Sequence, residues 1–198
     1  MRLYDSHSHL DAPGFDADRE AVLDRAEAAG VLQQLVPAVS FASWPATKST
    51  CALRPGLKAA YGLHPMFLAE HRPEQLDALP DWIEREKPPA VGECGLDFFV
   101  EGLDPEMQRF YFIRQLEIAR DFDLPVVLHA RRTVATMPIE HLLIETDSPD
   151  QPDAARRGQR NEPAFLVDVL REVAKLRGID EAEVAAATVR NAEALFGA

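Results

Sequence analysis

Leu124-Pro125-Val126-Val127-Leu128-His129 is an apolar run that ends on a histidine. It does not alternate apolar with polar residues, so it predicts a strand buried on both faces, as in a parallel sheet. The run extends over Pro125–Ala130, and five others have the same character: Arg2–Asp5, Leu32–Val39, Leu57–Leu63, Ala90–Gly95 and Leu142–Thr146. Helical signatures lie between and after them. Residues 17–29 place Ala21, Val22, Ala26 and Ala29 roughly on one face before a stop at Gly30. Asp104-Pro105-Glu106 has the form of an N-cap, a first-turn proline and a first-turn acid, and Met107, Phe110, Ile113 and Leu116 follow at near-helical spacing. Residues 163–177 and 181–196 predict two further helices, the second capped by Asp180. Strands alternating with helices predict an α/β fold with a parallel sheet, doubly wound or closed as a barrel.

His129 stands at the carboxyl end of its strand, and three other strands end in the same manner. The first runs into His7-Ser8-His9, whose alternate side chains share a face. Glu93 lies inside Ala90-Val91-Gly92-Glu93-Cys94-Gly95, where an acid is costly to bury unless it is paired or metal-bound. Asp147 closes Leu142-Leu143-Ile144-Glu145-Thr146-Asp147. Taken singly, each has a plain alternative: loop histidines, a buried ion pair, a satisfied core histidine, a capping acid. Together they put a His or an acid at the end of four strands, which is where βα barrels build active sites. Mixed imidazole and carboxylate donors suit Zn, Mn, Fe or Mg. His64, in Gly62-Leu63-His64-Pro65, follows another strand and is expected to face the pocket, touching a phosphate or supporting the donors. His71 is expected at the surface. His141 is rejected as a ligand, because an extended strand sets it about 20 Å from Asp147. Arg131, Arg132, Arg156, Arg157 and Arg160 could line the mouth as a basic rim, and Asn161 could brace Asp147 or cap the next helix.

The chain has 198 residues, 46% hydrophobic and 27% charged, which predicts one soluble domain spanning 1–198. No apolar run approaches the roughly 20 residues of a membrane span. Met1–Asp5 run directly into the His-x-His motif, so no signal peptide is expected, and two cysteines fit a reducing, cytoplasmic setting. A net charge of −12 argues against a broad basic footprint for nucleic acid. It leaves a nuclease open, since bound metal can supply positive charge where a phosphate sits.

The elements Asp5-Ser6-His7-Ser8-His9-Leu10-Asp11, Gly62-Leu63-His64-Pro65, Gly92-Glu93-Cys94-Gly95-Leu96-Asp97, Leu124–Arg131, Glu145-Thr146-Asp147-Ser148-Pro149-Asp150 and Arg160-Asn161-Glu162-Pro163 occur in the order of a known family. Together they resemble the TatD family of metal-dependent deoxyribonucleases and related hydrolases, over nearly the whole chain. The resemblance implies a TIM-type barrel with one or two divalent ions (Mg, Mn or Zn). His7, His9 and Asp147 would hold one ion, Glu93 would bridge, and His129 would serve the second. For metal-assisted hydrolysis the expected catalytic residues are Asp147, Glu93 and His64, and the expected substrate contacts come from His64, Arg131 and Arg160.

The chain departs from that pattern between His129 and Asp147. The family has two more βα units there, the first bearing another metal-binding histidine. Here only Ala130 to Glu140 lies between the strands, enough for one minimal crossover at most. The expectation is therefore a divalent-metal hydrolase of DNA phosphodiesters on a barrel lacking two βα units. The alternatives are a small-molecule amidohydrolase and an impaired remnant that holds one metal. Exposed strand edges in a shortened barrel would favour self-association.

Overall fold

The computed structural model describes residues 1–129 and 137–197. In chain order its regular elements are β1 (Leu3–Asp5), α1 (Arg19–Ala28), β2 (Val31–Pro37), α2 (Trp44–Cys51), β3 (Leu57–Ala60), α3 (Pro73–Glu86), β4 (Val91–Gly95), α4 (Pro105–Asp121), β5 (Val126–His129), α5 (Leu166–Arg177) and α6 (Glu181–Phe196). This is an α/β chain whose strand pairs are parallel. It divides into two compact units, residues 1–36, 52–57 and the segment from 137 on, and residues 37–51 with 58–129.

In the first unit β1 lies parallel to β2, with Leu3 opposite Val31 and Asp5 opposite Gln34. Leu3, Val31, Ile144, Leu166, Leu170 and Val184 form the centre of its core. α5 and α6 supply apolar faces at helical spacing and stop where glycine or a cap permits. Gly178 ends α5 in the left-handed region at φ 66°, and the Asp180 carboxylate accepts the Ala182 N–H at the start of α6. The strand expected over Leu142–Thr146 is an extended segment beside β1 rather than a regular strand. Ser6 N–H reaches the Ile144 carbonyl at 3.1 Å and Asp147 N–H the His7 carbonyl at 2.9 Å. Between them Thr146 N–H goes to the Asp5 carboxylate at 3.0 Å, so a side chain takes one rung and the ladder is broken.

In the second unit β4 pairs with β5 in parallel, Val91 opposite Val126 and Gly95 opposite His129, and Tyr61 bridges to Val91. Trp44 is fully buried at the centre, and its indole N–H donates to the Gly62 carbonyl at 3.0 Å. Tyr61, Leu63, Leu79, Ile83, Val91 and Ile118 pack in the same cluster.

α4 begins as its sequence predicts, with the Asp104 carboxylate accepting the Glu106 and Met107 N–H groups. Its buried face differs from the apolar series Met107, Phe110, Ile113, Leu116. Those four are 37–52% exposed, and the helix buries Gln108, Tyr111, Gln115, Ile118 and Ala119 instead. Spacing alone identifies a stripe, but what the helix packs against decides which stripe goes inward. α2 and α3, absent from the sequence reading, complete the unit; α3 buries Leu76, Leu79 and Ile83 at three- and four-residue intervals.

Candidate metal centre

Among the described residues, donor side chains gather in both units. In the first, the chain leaves β1 through His7 and His9, both held by backbone bonds. Ser8 N–H reaches the Leu35 carbonyl at 3.0 Å, and His9 N–H the Ser148 carbonyl at 2.7 Å. The two rings meet edge to face with their Nε2 atoms 3.2 Å apart. Asp147 Oδ1 lies 3.5 Å from His9 Nε2 and 3.8 Å from His7 Nε2. Asp147 sits in the left-handed region at φ 54°, in a turn that Asn161 clamps on both sides by donating to the Thr146 and Asp150 carbonyls at 2.8 and 2.9 Å. Asn161 thus braces Asp147, one of the two roles expected for it.

Beneath this cluster Asp5 is fully buried and ties the two donor segments together. Its carboxylate accepts the His7 N–H at 3.2 Å, the Thr146 N–H at 3.0 Å and the Thr146 hydroxyl at 2.6 Å. Burial pushes its carboxyl up to about 7 despite those bonds.

In the second unit His64, Glu93 and His129 converge. His129 Nδ1 is 3.0 Å from Glu93 Oε1 and 3.1 Å from His64 Nε2, and His64 Nε2 is 3.2 Å from Glu93 Oε1. Glu93 and His64 are buried, and the three donor atoms form one group able to hold an ion. The opposite nitrogen of His129, Nε2, meets Asp97 Oδ2 at 2.9 Å. Burial pushes the Asp97 carboxyl up, but the hydrogen bonds from His129 and from the Val100 and Phe99 N–H groups outweigh it and hold the group at about 2. The bond to Glu93 raises the pKa of His129 against burial, and Asp97 adds to the rise.

Both clusters fit a divalent ion. A tetrahedral ion with bonds of about 2.1 Å separates its donors by about 3.4 Å, close to the spacings found. With Asp97 accepting from Nε2 of His129, release of the Nδ1 proton to make room for an ion would turn a lone pair toward Glu93 and His64, which is the carboxylate–histidine arrangement that orients metal ligands.

The other expected residues fall out as follows. His71 is 5% exposed, not at the surface: its ring packs on Tyr111 and its Nε2 lies 2.8 Å from the His64 carbonyl, so it supports the turn that carries His64. Arg131 and Arg132 lie outside the described residues. Arg156 pairs with Asp153 and Asp168. Arg160 grips both oxygens of Asp18 at 2.7 Å and reaches Glu162 at 2.9 Å, so a substrate anion would compete with two carboxylates for it. The Arg160 guanidinium is the main reason the Asp18 carboxyl is held down at about 2. A depressed carboxyl stabilises the fold above its ordinary value near 4 and loses that contribution as pH falls through about 2. Asp18→Asn should therefore flatten the acid limb of a melting-temperature profile between about pH 4 and 2, and an unchanged limb would show the ion pair to be idle. Sequence reasoning assigned no role to Asp97, Asp5, Gln108 or Gln115. The available signal was an acid or amide placed among residues that otherwise form core.

Imidazole and carboxylate donors gathered beside parallel strands make a candidate metal centre on an α/β scaffold. Comparison with known proteins narrows this. The TatD-related DNase family profile matches residues 4–137 and again 130–197. An uncharacterised metal-dependent hydrolase of Escherichia coli, YjjV, is 31% identical over 253 aligned positions covering 98% of each chain. The 3'-5' ssDNA/RNA exonuclease TatD of Erwinia tasmaniensis is 28% identical, covering 98% of this chain and 99% of its own. The crystal structure of Escherichia coli YjjV superposes with a TM-score of 0.94 at 30% identity, covering 100% of this chain and 98% of that one. A TatD-family hydrolase from Entamoeba histolytica shares the fold at a TM-score of 0.83 and 17% identity. The chain belongs to the TatD family of metal-dependent hydrolases. Set against 198 residues, the 253 positions aligned with YjjV leave at least 55 with no residue in this chain. The family profile breaks and restarts within 130–137, directly after His129.

Proposed function

We propose that this protein is a divalent-metal-dependent phosphodiesterase acting on the ends of single-stranded DNA or RNA, on a TIM-type barrel that lacks two βα units after β5. The observation that carries this is the His129 arrangement: one ring nitrogen fixed by Asp97, the other aimed at Glu93 and His64. The exonuclease named among the relatives supplies the substrate class. His7, His9 and Asp147 would hold one ion. His64, Glu93 and His129 would hold the second.

When bound, a divalent ion supplies Lewis acidity and lowers the pKa of coordinated water. The protein's own part is positional. Asp147 orients the attacking water and accepts its proton, and its other oxygen is steadied by the Gln151 amide. Asp97 keeps His129 in one tautomer, and Asp5 keeps the His7 and Thr146 segments in register. The acidic surface, −12 in total, leaves phosphate binding to the ions and to few arginines, so affinity for a single strand should depend only weakly on salt.

The test is hydrolysis of an end-labelled single-stranded oligonucleotide by the full chain with Mn²⁺ or Mg²⁺. Stepwise shortening that chelation abolishes is the expected result. Metal binding without cleavage would sink the nuclease reading. The gap after His129 favours one other reading, a remnant that retains metal but not turnover, and that outcome would select it. The same gap leaves β5 paired only with β4 among the described residues, and self-association through that edge is part of the proposal, measurable by sedimentation.

A further inference from the structure

α4 turns two glutamines inward, Gln108 and Gln115, 1% and 0% exposed. Seven residues apart, they share one helix face two turns along. Each takes both the N–H and the carbonyl of one backbone residue outside the helix, and Gln115 Nε2 also donates to the Tyr111 carbonyl at 3.1 Å. Gln115 Oε1 accepts the Leu63 N–H at 2.7 Å while its Nε2 donates to the Leu63 carbonyl at 3.1 Å. Gln108 Oε1 accepts the Asp97 N–H at 2.7 Å while its Nε2 donates to the Asp97 carbonyl at 2.9 Å.

A buried amide is costly unless its groups are satisfied, and an apolar residue would fill either position at lower risk. α4 has apolar residues to spare: Met107, Phe110, Ile113 and Leu116 lie exposed while the glutamines are buried. The two gripped residues are also particular ones. Leu63 immediately precedes His64, and Asp97 carries the carboxylate that fixes His129. A side chain that takes both the N–H and the carbonyl of one residue fixes that residue's place and the tilt of its flanking peptides. One rigid helix therefore sets both sides of the His64–Glu93–His129 cluster.

We propose that Gln108 and Gln115 are positioning residues for the metal site formed by His64, Glu93 and His129, acting through Asp97 and Leu63. The proposal rests on reading that cluster as a metal site. Outer-shell partners of metal ligands change metal affinity by about 10- to 100-fold when removed, and the same loss is expected here.

The experiment titrates Zn²⁺ into the metal-free full chain and reads binding at the ring ¹⁵N resonances of His64 and His129. Gln108→Met and Gln115→Met keep the length and remove the amide. Each should weaken Zn²⁺ binding about 10- to 100-fold. Ile118→Val, on the same buried face but with no amide to hold a backbone group, should leave binding unchanged while loosening the packing. If both Met variants melt earlier yet bind Zn²⁺ like the wild type, the glutamines are only structural and the proposal is overturned. Should a Met variant fail to fold, hydrogen exchange of the wild type decides. Zn²⁺ must slow exchange at the Leu63 and Asp97 amides, because a clamp that favours binding is favoured by it in return. No slowing overturns the proposal. A wild type whose His64 and His129 rings ignore Zn²⁺ removes the metal reading and the proposal together, whereas normal wild-type binding with unaffected variants removes the proposal alone.

Discussion

Glu93→Ala is expected to abolish metal-dependent hydrolysis, a fall of about 1000-fold or more, equivalent to about 4 kcal/mol of lost transition-state stabilisation. Glu93 supplies the only formal negative charge in the His64–Glu93–His129 group and is 3% exposed, so no solvent-borne carboxylate can replace it. His64 and His129 are neutral donors when they bind an ion, and two neutral nitrogens hold a divalent cation poorly in a buried site. Glu93→Gln keeps the volume and one carbonyl oxygen while deleting the charge. It should lose activity nearly as far as alanine does while folding as the wild type. Oligonucleotide cleavage and Zn²⁺ titration of the two variants check this. Full metal-dependent hydrolysis by Glu93→Ala would show that the centre lies elsewhere.

Gly62→Ala should destabilise the second unit by about 3 kcal/mol, the upper part of the range for forcing atoms into a packed interior. A Cβ at residue 62 would come within 2.6 Å of Gly92 Cα, 2.7 Å of the Gly92 carbonyl carbon and 2.8 Å of the Glu93 oxygen. All three are backbone atoms of the segment that presents Glu93, so no side chain can swing aside to make room. The Gly62 carbonyl is also the acceptor for the Trp44 indole, which makes a shift of residue 62 costly at the core centre. Urea unfolding measures the loss, and metal affinity should fall with it because any backbone adjustment moves Glu93. Stability within about 0.5 kcal/mol of the wild type, the range usual for a harmless surface change, would contradict the packing described.

The parallel α/β class was legible in the apolar runs, and His7, His9, Glu93, His129 and Asp147 stood out as candidate donors because their chemistry conflicts with their apolar surroundings. An acid or imidazole closing an apolar strand has few reasons to be there. His64 was legible as a pocket residue, but its convergence with Glu93 and His129 depends on where the β3 and β4 segments lie in space, which no local pattern encodes. His71 was misread because its acidic, proline-bounded surroundings suggest solvent, whereas its ring is sealed by Tyr111, a residue forty positions away. The buried face of α4 was misread for a related reason. Glutamine counts as polar in any periodicity, and only the backbone groups of Leu63 and Asp97 make it a core residue. The interrupted strand before Asp147 follows from Asp5 capturing the Thr146 N–H, a long-range substitution of side chain for backbone.

Occupancy of these donor clusters by divalent metal is what ties the proposed chemistry to the fold. It is tested most directly by equilibrium dialysis of the full chain against Mn²⁺ or Zn²⁺, with metal counted by elemental mass spectrometry. Between one and two ions per folded chain are predicted, falling when His64 and His129 are replaced by alanine. A folded chain that retains no metal above the dialysis background would contradict the account.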